Sequence, residues 1–386
     1  MKRRALTGLL ALAAALLPVA GARGEDDVTI RGAYYREAST RVIQPVVEIN
    51  KDLPHGFDVN THYLLDAITS ASVAAGAGKD QIFTELRNEV GLGVGKTWNN
   101  RTRATLGYQY SAESDYWAHT LHGSAAQAFW GDTATLALSL GLSIDSATAR
   151  GRTPFCASGT AVDCPLDIYF AGLSYTQVIS PVFIGQVDLE TAYLDGFQGN
   201  LYRTVPMSPM GFENPPEKRL RNAAAARLAY YFPATGTGLQ LHYRFYWDTY
   251  PGSSPSGYDT WAMRSHTIEG RVYQQLTRAL QVRLTYRQYL QNAAAFWCDT
   301  LANPGCYPPA NLFSIAGTPE SSDPKLGPMH SEYPEIKLIW EADSLREVPF
   351  FRWFASGTFE LSYGYYYQST SFGNAHVLQT GYTMPY

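Results

Sequence analysis

The stretch Leu239-Gln-Leu-His-Tyr-Arg-Phe-Tyr-Trp-Asp248 decides the fold. Its odd-numbered positions are apolar or aromatic, whereas its even-numbered positions other than Tyr246 are polar or charged. Successive side chains of a β-strand point to opposite faces, so this period of two predicts a strand with one apolar and one polar face. The length suits a tilted strand that crosses a membrane, which needs about 9–11 residues.

The same alternation recurs elsewhere, at Phe57–Asp66, Ala134–Asp145, Leu280–Arg287 and Phe359–Tyr367. A helix would instead place apolar residues three and four positions apart. We also expect strands near Tyr116–Phe129 and Trp261–Gln275, although these alternate poorly and their faces stay unassigned. The pattern indicates an all-β protein with one structural domain.

The expected links between strands alternate between short and long. Short turns are predicted at Asp52–Gly56, Thr97–Asn100, Trp130–Asp132, Ile179–Pro181, Ala234–Thr237 and Leu276–Arg278, with a longer connection of the same set at Ala342–Arg352. The other links are predicted at Ser70–Asp80, Ser146–Pro165, Gly196–Glu217, Pro251–Thr260, Asn292–His330 and the brief Gln368–Gly373. Barrels of bacterial outer membranes alternate short periplasmic turns with longer outer loops. The sequence therefore predicts a closed antiparallel transmembrane β-barrel of about 16 strands, with 14 or 18 as alternatives, and both termini on the periplasmic side.

The N-terminus predicts export. Basic Lys2-Arg3-Arg4 precedes an apolar run from Leu6 to Val19, and Ala20-Gly21-Ala22 has the small-x-small pattern of a cleavage site. We expect residues 1–22 to be a cleaved signal peptide and residues 23–386 to form the barrel. The alternative, a transmembrane anchor, needs about 20 apolar residues and is disfavoured by the short run.

The C-terminus carries a second targeting feature. Leu378, Tyr382, Met384 and Tyr386 fall on one face of a last strand. A terminal aromatic residue resembles the signal by which barrels are recognised for insertion, so Tyr386 is the predicted assembly signal. The expected partners are the barrel assembly machinery and the lipid of a Gram-negative outer membrane.

Composition narrows the function further. The chain has a formal net charge of −4, which becomes −7 when the three basic residues of the signal are lost, and this argues against nucleic acid as a partner. The 27 Tyr, 17 Phe and 8 Trp suit interfacial aromatic girdles. An oligosaccharide path is the alternative for the aromatics of the strands, namely Tyr63, Tyr108, Tyr110, Tyr243, Trp247, Tyr286, Tyr363 and Tyr365.

The four cysteines form two close pairs, Cys156/Cys164 and Cys298/Cys306, in stretches rich in Gly, Pro and Asp. In an oxidising compartment such pairs predict disulfides, and the short spacings favour 156–164 and 298–306 over the other connectivities. Both would then brace outer loops.

Charged and polar residues of the expected strands share single faces and cannot face lipid, which would cost about 2–4 kcal/mol for Arg or Lys near the midplane. They predict a polar lumen that either conducts ions or is braced by structural ion pairs. Arg31 is a further candidate. The predicted lumen residues are Asp58, His62, Asp66, Glu85, Arg87, Glu89, Asp188, Glu190, His242, Arg244, Asp248, Arg283, Arg287, Glu335, Lys337, Glu341 and Glu360.

Motifs for catalysis or cofactor binding do not emerge. Gly91–Thr97 resembles a phosphate loop but has Val90 where that pattern needs Gly. His119 and His122 would lie on opposite faces of a strand, which disfavours a shared metal. We therefore expect no metal, no cofactor and no enzymatic activity.

Several residues of the N-terminal third carry a family resemblance. They are Tyr34-Tyr35-Arg36-Glu37, Arg41, Pro45, the run His62–Ser72 and Phe83-Thr84-Glu85-x-Arg87-x-Glu89. Across residues 30–100 the chain resembles an uncharacterised family of bacterial outer-membrane proteins, defined only as a domain of unknown function. The resemblance implies an outer-membrane barrel, and an association with genes for periplasmic flavin transfer and thioredoxin-like proteins.

These features favour porin-like passive passage of small solutes. The alternative is a non-conducting barrel that binds an extracellular ligand or a periplasmic partner, which the resemblance would make redox- or flavin-related. Asn292–His330 is long enough to fold inward as a plug or constriction. An outer-membrane enzyme and a soluble exported all-β protein are further rivals, and a homo-oligomer stays open.

Overall fold

Sixteen β-strands follow one another through the chain in a computed structural model. The structure describes residues 26–38, 40–71, 82–99, 101–148, 163–199, 215–249, 261–298, 321–348 and 352–386. The strands are β1 Asp27–Arg36, β2 Thr40–Leu53, β3 Phe57–Ala71, β4 Ile82–Trp98, β5 Thr102–Ala112, β6 Tyr116–Phe129, β7 Ala134–Thr148, β8 Asp163–Ser180, β9 Phe183–Gly196, β10 Lys218–Phe232, β11 Thr237–Thr249, β12 Arg264–Gln275, β13 Leu280–Gln291, β14 Met329–Glu341, β15 Thr358–Gln368 and β16 Ala375–Pro385.

Every strand pairs antiparallel with the next, and the last strand closes the sheet onto the first. Ile30 of β1 lies opposite Tyr382 of β16 in this seam. Closure leaves no unpaired edge among the strands. The predicted closed barrel of sixteen strands is therefore confirmed.

The two ends of the barrel differ. Both described termini lie at the end that also holds the short links, which we call the turn end, and the longest links lie at the opposite loop end. Two loop-end links, 37–39 and 113–115, are only three residues long, so the expected alternation of short and long links is not strict.

One strand begins later than predicted. β12 begins at Arg264 rather than at Trp261. Ala262 has a φ of 51°, which turns the backbone, while Trp261 and Met263 are buried. Burial by the neighbouring loop segments, rather than strand pairing, accounts for the poor alternation at the start of this stretch.

The outward face of the wall is apolar. In β7, Leu136, Leu138, Leu140 and Leu142 are all exposed, while Ser143 and Asp145 on the other face are buried. Aromatic rings cluster near the turn end, where the Phe359 and Tyr382 ring centres lie 4.4 Å apart. The helical segments in the described residues are short 3-10 turns, and none of them could cross a bilayer.

Inward-facing glycines receive rings from neighbouring strands. A methyl group at Gly364 would overlap the Tyr333 ring, and one at Gly91 would overlap the His62 ring. A methyl group at Gly141 would likewise overlap the Phe170 ring. These glycines let bulky inward side chains lie flat against the wall, a packing known to support glycines in sheets.

Candidate functional site: the inner face of the barrel

All the lumen residues predicted from the sequence lie in strands, at positions that alternate with the exposed apolar side chains. Their side chains thus belong to the inward face. Glu341, the last residue of β14, differs in being exposed at the turn end, while the others are buried or half-buried. On β6, His122 lies inward and His119 outward, as their spacing predicts.

Ion pairs join β9 to β10 and to β11. Arg244 Nη2 lies 3.1 Å from Glu190 Oε2, although β10 separates the two strands. The reach is possible because β10 presents only the small, buried Ala223 and Ala225 at this level. Arg227 Nε lies 3.7 Å from Asp188 Oδ2 on the same stretch of wall.

A glycine makes a similar bridge possible near the turn end. Arg103 of β5 donates two hydrogen bonds to Asp58 of β3, at 2.6 and 2.7 Å. β4 lies between them, and a side chain at Gly95 would overlap both partners. The fork-to-fork geometry is the strong form of an Arg–carboxylate contact.

Glu89 is the centre of a third cluster. Arg87 pairs with it, and His62 Nε2 lies 3.3 Å from its Oε1. Arg87 also donates from Nε to Ser111 Oγ at 2.9 Å. The cluster therefore joins β3, β4 and β5 across the inner face.

A fourth group of contacts lies on the inner face of β13 and β14. Arg283 Nη2 lies 2.6 Å from Glu335 Oε1, and Tyr333 donates to Glu335 Oε2 at 3.0 Å. Lys337 Nζ lies 2.7 Å from Glu360 Oε2. Most of the predicted lumen charges are thus held in ion pairs, either between neighbouring strands, across one intervening strand or within one strand. This pairing is the bracing network that the sequence left as an alternative to a conducting lumen.

The structure also brings in inward charges that the sequence reasoning missed. Among the described residues, the adjacent strands β10–β13 carry seven inward arginines, whereas β2–β7 carry mainly acids. The signal was present, because Arg219, Arg221 and Arg227 share one strand face, but the alanines between them hid the alternation. The missed residues are Glu48, Arg103, Asp145, Arg219, Arg221, Arg227, Glu269 and Arg271.

Two links fold over the inner face at the loop end. Trp261, Met263, Ala294 and Phe296 form a buried apolar cluster, which we call the loop-end cap. Arg219, on the inner face of β10, lies against the Trp261 ring. Residues 292–298 and 321–327 of the long predicted link contribute to the cap, while 299–320 lie outside the described residues.

The structure describes one cysteine of each predicted pair. Cys164 and Cys298 are buried and disulfide-bonded. Cys156 and Cys306 lie outside the described residues, so the pairing stays a prediction. The same holds for the signal peptide, because residues 1–25 are not described.

The eight aromatic residues considered for an oligosaccharide path lie on the outward face, which argues against their forming such a path inside the barrel. Three tyrosine–histidine pairs join neighbouring strands near the loop end, each through a hydrogen bond between the hydroxyl group and Nδ1. These pairs are Tyr108–His119 at 2.6 Å, Tyr243–His266 at 2.8 Å and Tyr363–His376 at 2.8 Å.

Comparison with known proteins gives a family but no activity. A model of a family described as protein of unknown function (DUF3570) matches residues 71–163 and 167–370. It overlaps the stretch that carries the sequence resemblance only from residue 71 onward. No curated protein matches the chain.

Solved structures resemble the barrel at low identity. A bacterial polysaccharide outer membrane secretin is 7% identical with a TM-score of 0.51, over 95% of this chain and 100% of that one. CdiB from Acinetobacter baumannii is 7% identical with a TM-score of 0.51, over 94% of this chain and 61% of that one. OccD3 (OpdP) from Pseudomonas aeruginosa is 11% identical with a TM-score of 0.46, over 97% of each chain. At this identity the first two similarities show the fold alone.

Proposed function

Because the chain belongs to the DUF3570 family of proteins of unknown function, we propose its function from its own geometry. The protein is an integral outer-membrane barrel that lets small hydrophilic solutes pass by diffusion. It has no catalytic cycle and needs no cofactor.

The observation that carries this proposal is the hydration of inward-facing charges. The side chains of Arg31, Arg227 and Arg271 stay 56%, 40% and 39% exposed although they belong to the inner face. Water therefore reaches the inside of the wall on three strands, β1, β10 and β12. A barrel of sixteen strands is wide enough to hold an aqueous channel.

Membrane insertion follows from the opposite face. Exposed leucines, valines and aromatic residues cover the outside of the barrel, which water would disfavour and lipid would accept. Closure satisfies the backbone groups of the wall, as a bilayer requires. In this orientation the loop end faces the exterior and the turn end faces the periplasm.

Export and assembly complete the proposal. Residues 1–22 direct the chain through the inner membrane, and the C-terminal Tyr386 is read by the assembly machinery. Tyr386 lies at the seam, where its backbone N–H donates to Asp26 at 2.9 Å. Its side chain is 57% exposed.

The loop-end cap favours a second candidate. It covers part of the inner face at the exterior mouth, so the pore would be narrowed there. A barrel closed by such a cap would act in binding, either of an extracellular ligand or of a periplasmic partner. The gene association implied by the family resemblance would make that partner redox- or flavin-related.

Single-channel recording separates the two candidates. The protein is refolded, its folded state is verified by heat-modifiable gel mobility, and it is added to a planar bilayer. Stable ohmic steps are expected for a solute pore. A folded barrel that inserts but conducts nothing would overturn this function and favour the binding protein.

A further inference from the structure

Three carboxylates meet at the mouth of the loop end. Glu85 lies on the inner face near the start of β4, while Glu113 and Asp115 belong to the three-residue link between β5 and β6. They meet because β5 pairs with β4, so that this link follows directly on the pairing of Ala112 with Asn88. One oxygen atom from each carboxylate lies within 4.8 Å of the others.

Two of the three carboxylates are buried and Glu113 is half-buried, so hydration alone does not stabilise their charges. Glu85 is 6% exposed and Asp115 is 1% exposed. Carboxylates brought this close repel one another, and removing them from water without a counter-charge costs more again. A cation bound between the three carboxylates would offset this repulsion.

A second observation points to a missing ligand. Glu85 Oε2 is buried and has no hydrogen-bond partner within the described residues, while Oε1 accepts a long hydrogen bond from Ser114 Oγ at 3.4 Å and the carboxyl group also contacts that of Asp115 within the cluster. In the same part of the chain, no Lys, Arg or His forms an ion pair with Glu85 or Glu113. Buried polar atoms in folded proteins are otherwise nearly always satisfied.

We propose that Glu85, Glu113 and Asp115 bind a calcium ion at the exterior mouth of the barrel. The donors are oxygen atoms alone, which selects a hard cation over zinc or copper. At a Ca²⁺–O distance of about 2.4 Å, oxygens up to about 4.8 Å apart can share one ion, whereas the shorter Mg²⁺–O distance of about 2.1 Å is more restrictive.

The ion would join the link between β5 and β6 to β4. The positive charge of the ion would attract all three carboxylates, which otherwise repel one another at the entrance of the lumen. The sequence does not reveal the site, because Glu85 is separated from the other two residues by a whole hairpin. This inference goes beyond the proposed pore and holds for a conducting or a closed barrel.

Thermal unfolding of the refolded barrel tests the site. The protein is stripped with a chelator and then unfolded in detergent with and without CaCl₂ at about 1 mM, the range in which extracellular sites bind this ion. We expect calcium to raise the unfolding midpoint, because a ligand that binds only the folded state stabilises it. An equal rise with MgCl₂ would overturn the assignment to calcium.

The double variant Glu85→Gln/Glu113→Gln keeps the shape of both side chains and removes two charges. We expect it to fold, to be at least as stable as the calcium-free wild type, and to lose the calcium-dependent shift. Asp195→Asn is the matched control, because it removes a carboxylate near the loop end of β9, where Asp195 lies 4.0 Å from Lys218. Its calcium shift should match the wild type.

A direct binding measurement keeps the inference falsifiable if the double variant folds poorly. Tb³⁺ replaces Ca²⁺ at oxygen sites, and Trp117, two residues beyond Asp115, can sensitise its emission. We expect terbium emission that calcium displaces, and a several-fold weaker signal for Glu113→Gln alone. Absence of a calcium shift in the wild type, or the same shift in the double variant, would overturn the site.

Discussion

The guanidinium group of Arg219 lies 3.8 Å from the centre of the Trp261 ring, and its Nε donates to Asp248 Oδ2 at 2.8 Å. Asp248 in turn accepts a hydrogen bond from the Met263 backbone N–H at 2.6 Å. The Arg219–Asp248 pair of the wall thus holds the loop-end cap at two residues, Trp261 and Met263. Cation–π contacts of this kind contribute about 2 kcal/mol when they are desolvated.

If the cap narrows the mouth, its removal should widen the pore. We expect the double variant Trp261→Ala/Phe296→Ala to show higher single-channel conductance than the wild type, because two rings packed edge to face at 4.9 Å are lost. Trp130→Ala is the control, since Trp130 lies exposed at the turn end, outside the lumen. Unchanged conductance in a folded double variant would show that the cap does not limit flow.

Removing one partner of the Arg219–Asp248 ion pair should destabilise the barrel more than replacing both partners by apolar residues. Asp248→Ala leaves a buried guanidinium group without its carboxylate, and such losses cost about 3–5 kcal/mol. We expect a lower urea midpoint, measured by tryptophan fluorescence of the barrel in lipid vesicles. In the double variant Arg219→Met/Asp248→Leu, most of that loss should be recovered; equal loss in both variants would contradict this account.

The packing of rings against inward glycines gives a prediction for which an outward glycine, Gly270, is the control. Gly364→Ala should lower the free energy of unfolding by about 1–3 kcal/mol, because the Tyr333 ring must move and its hydrogen bond to Glu335 is disturbed. Gly270→Ala meets nothing within 4 Å and should leave stability unchanged or slightly raise it. Urea unfolding of the two variants measures the difference in their free energies of unfolding. Similar values for both would contradict the account in which the Tyr333 ring packs against Gly364.

The fold could be predicted from sequence because its determinant is local. A period of two needs only neighbouring residues, so β11 and β7 show their faces directly, and the number of links then sets the number of strands. β12 shows where this fails: Trp261 continues the apolar pattern but is buried by segments that lie more than thirty residues away in the chain, around Leu326.

Partners on the inner face could not be predicted in the same way. The register between strands decides which charges meet, and it depends on the whole closed sheet. Arg244 and Glu190 lie in strands that are not neighbours, so the pair depends on Ala225 being small. The local period of two therefore predicts the face of a residue, whereas its partner depends on the register of the closed sheet.

Ion selectivity offers a test of the arginine-rich side of the lumen. Arg287 forms no ion pair within the described residues and lies 5.7 Å from the Tyr333 ring centre. Arg287→Gln should shift the reversal potential in a KCl gradient towards cation preference, because a fixed positive charge leaves the pore wall. Arg278→Gln, in an exposed turn-end link, should leave the potential unchanged. An equal shift from both variants would place the effect outside the pore.

The disulfides can be tested by peptide mapping of the unreduced protein. We expect two locally linked peptides, one joining Cys156 to Cys164 and the other joining Cys298 to Cys306, because short loops close at low entropic cost. Cys298 adjoins the loop-end cap, through the hydrogen bond of its backbone N–H to Ser321 at 2.9 Å. Reduction should therefore loosen the cap and raise conductance, whereas the double variant Cys156→Ser/Cys164→Ser should leave the cap in place and conductance unchanged. A peptide that links Cys164 to Cys298 would contradict the local pairing, and conductance that does not respond to reduction would separate the second disulfide from the cap.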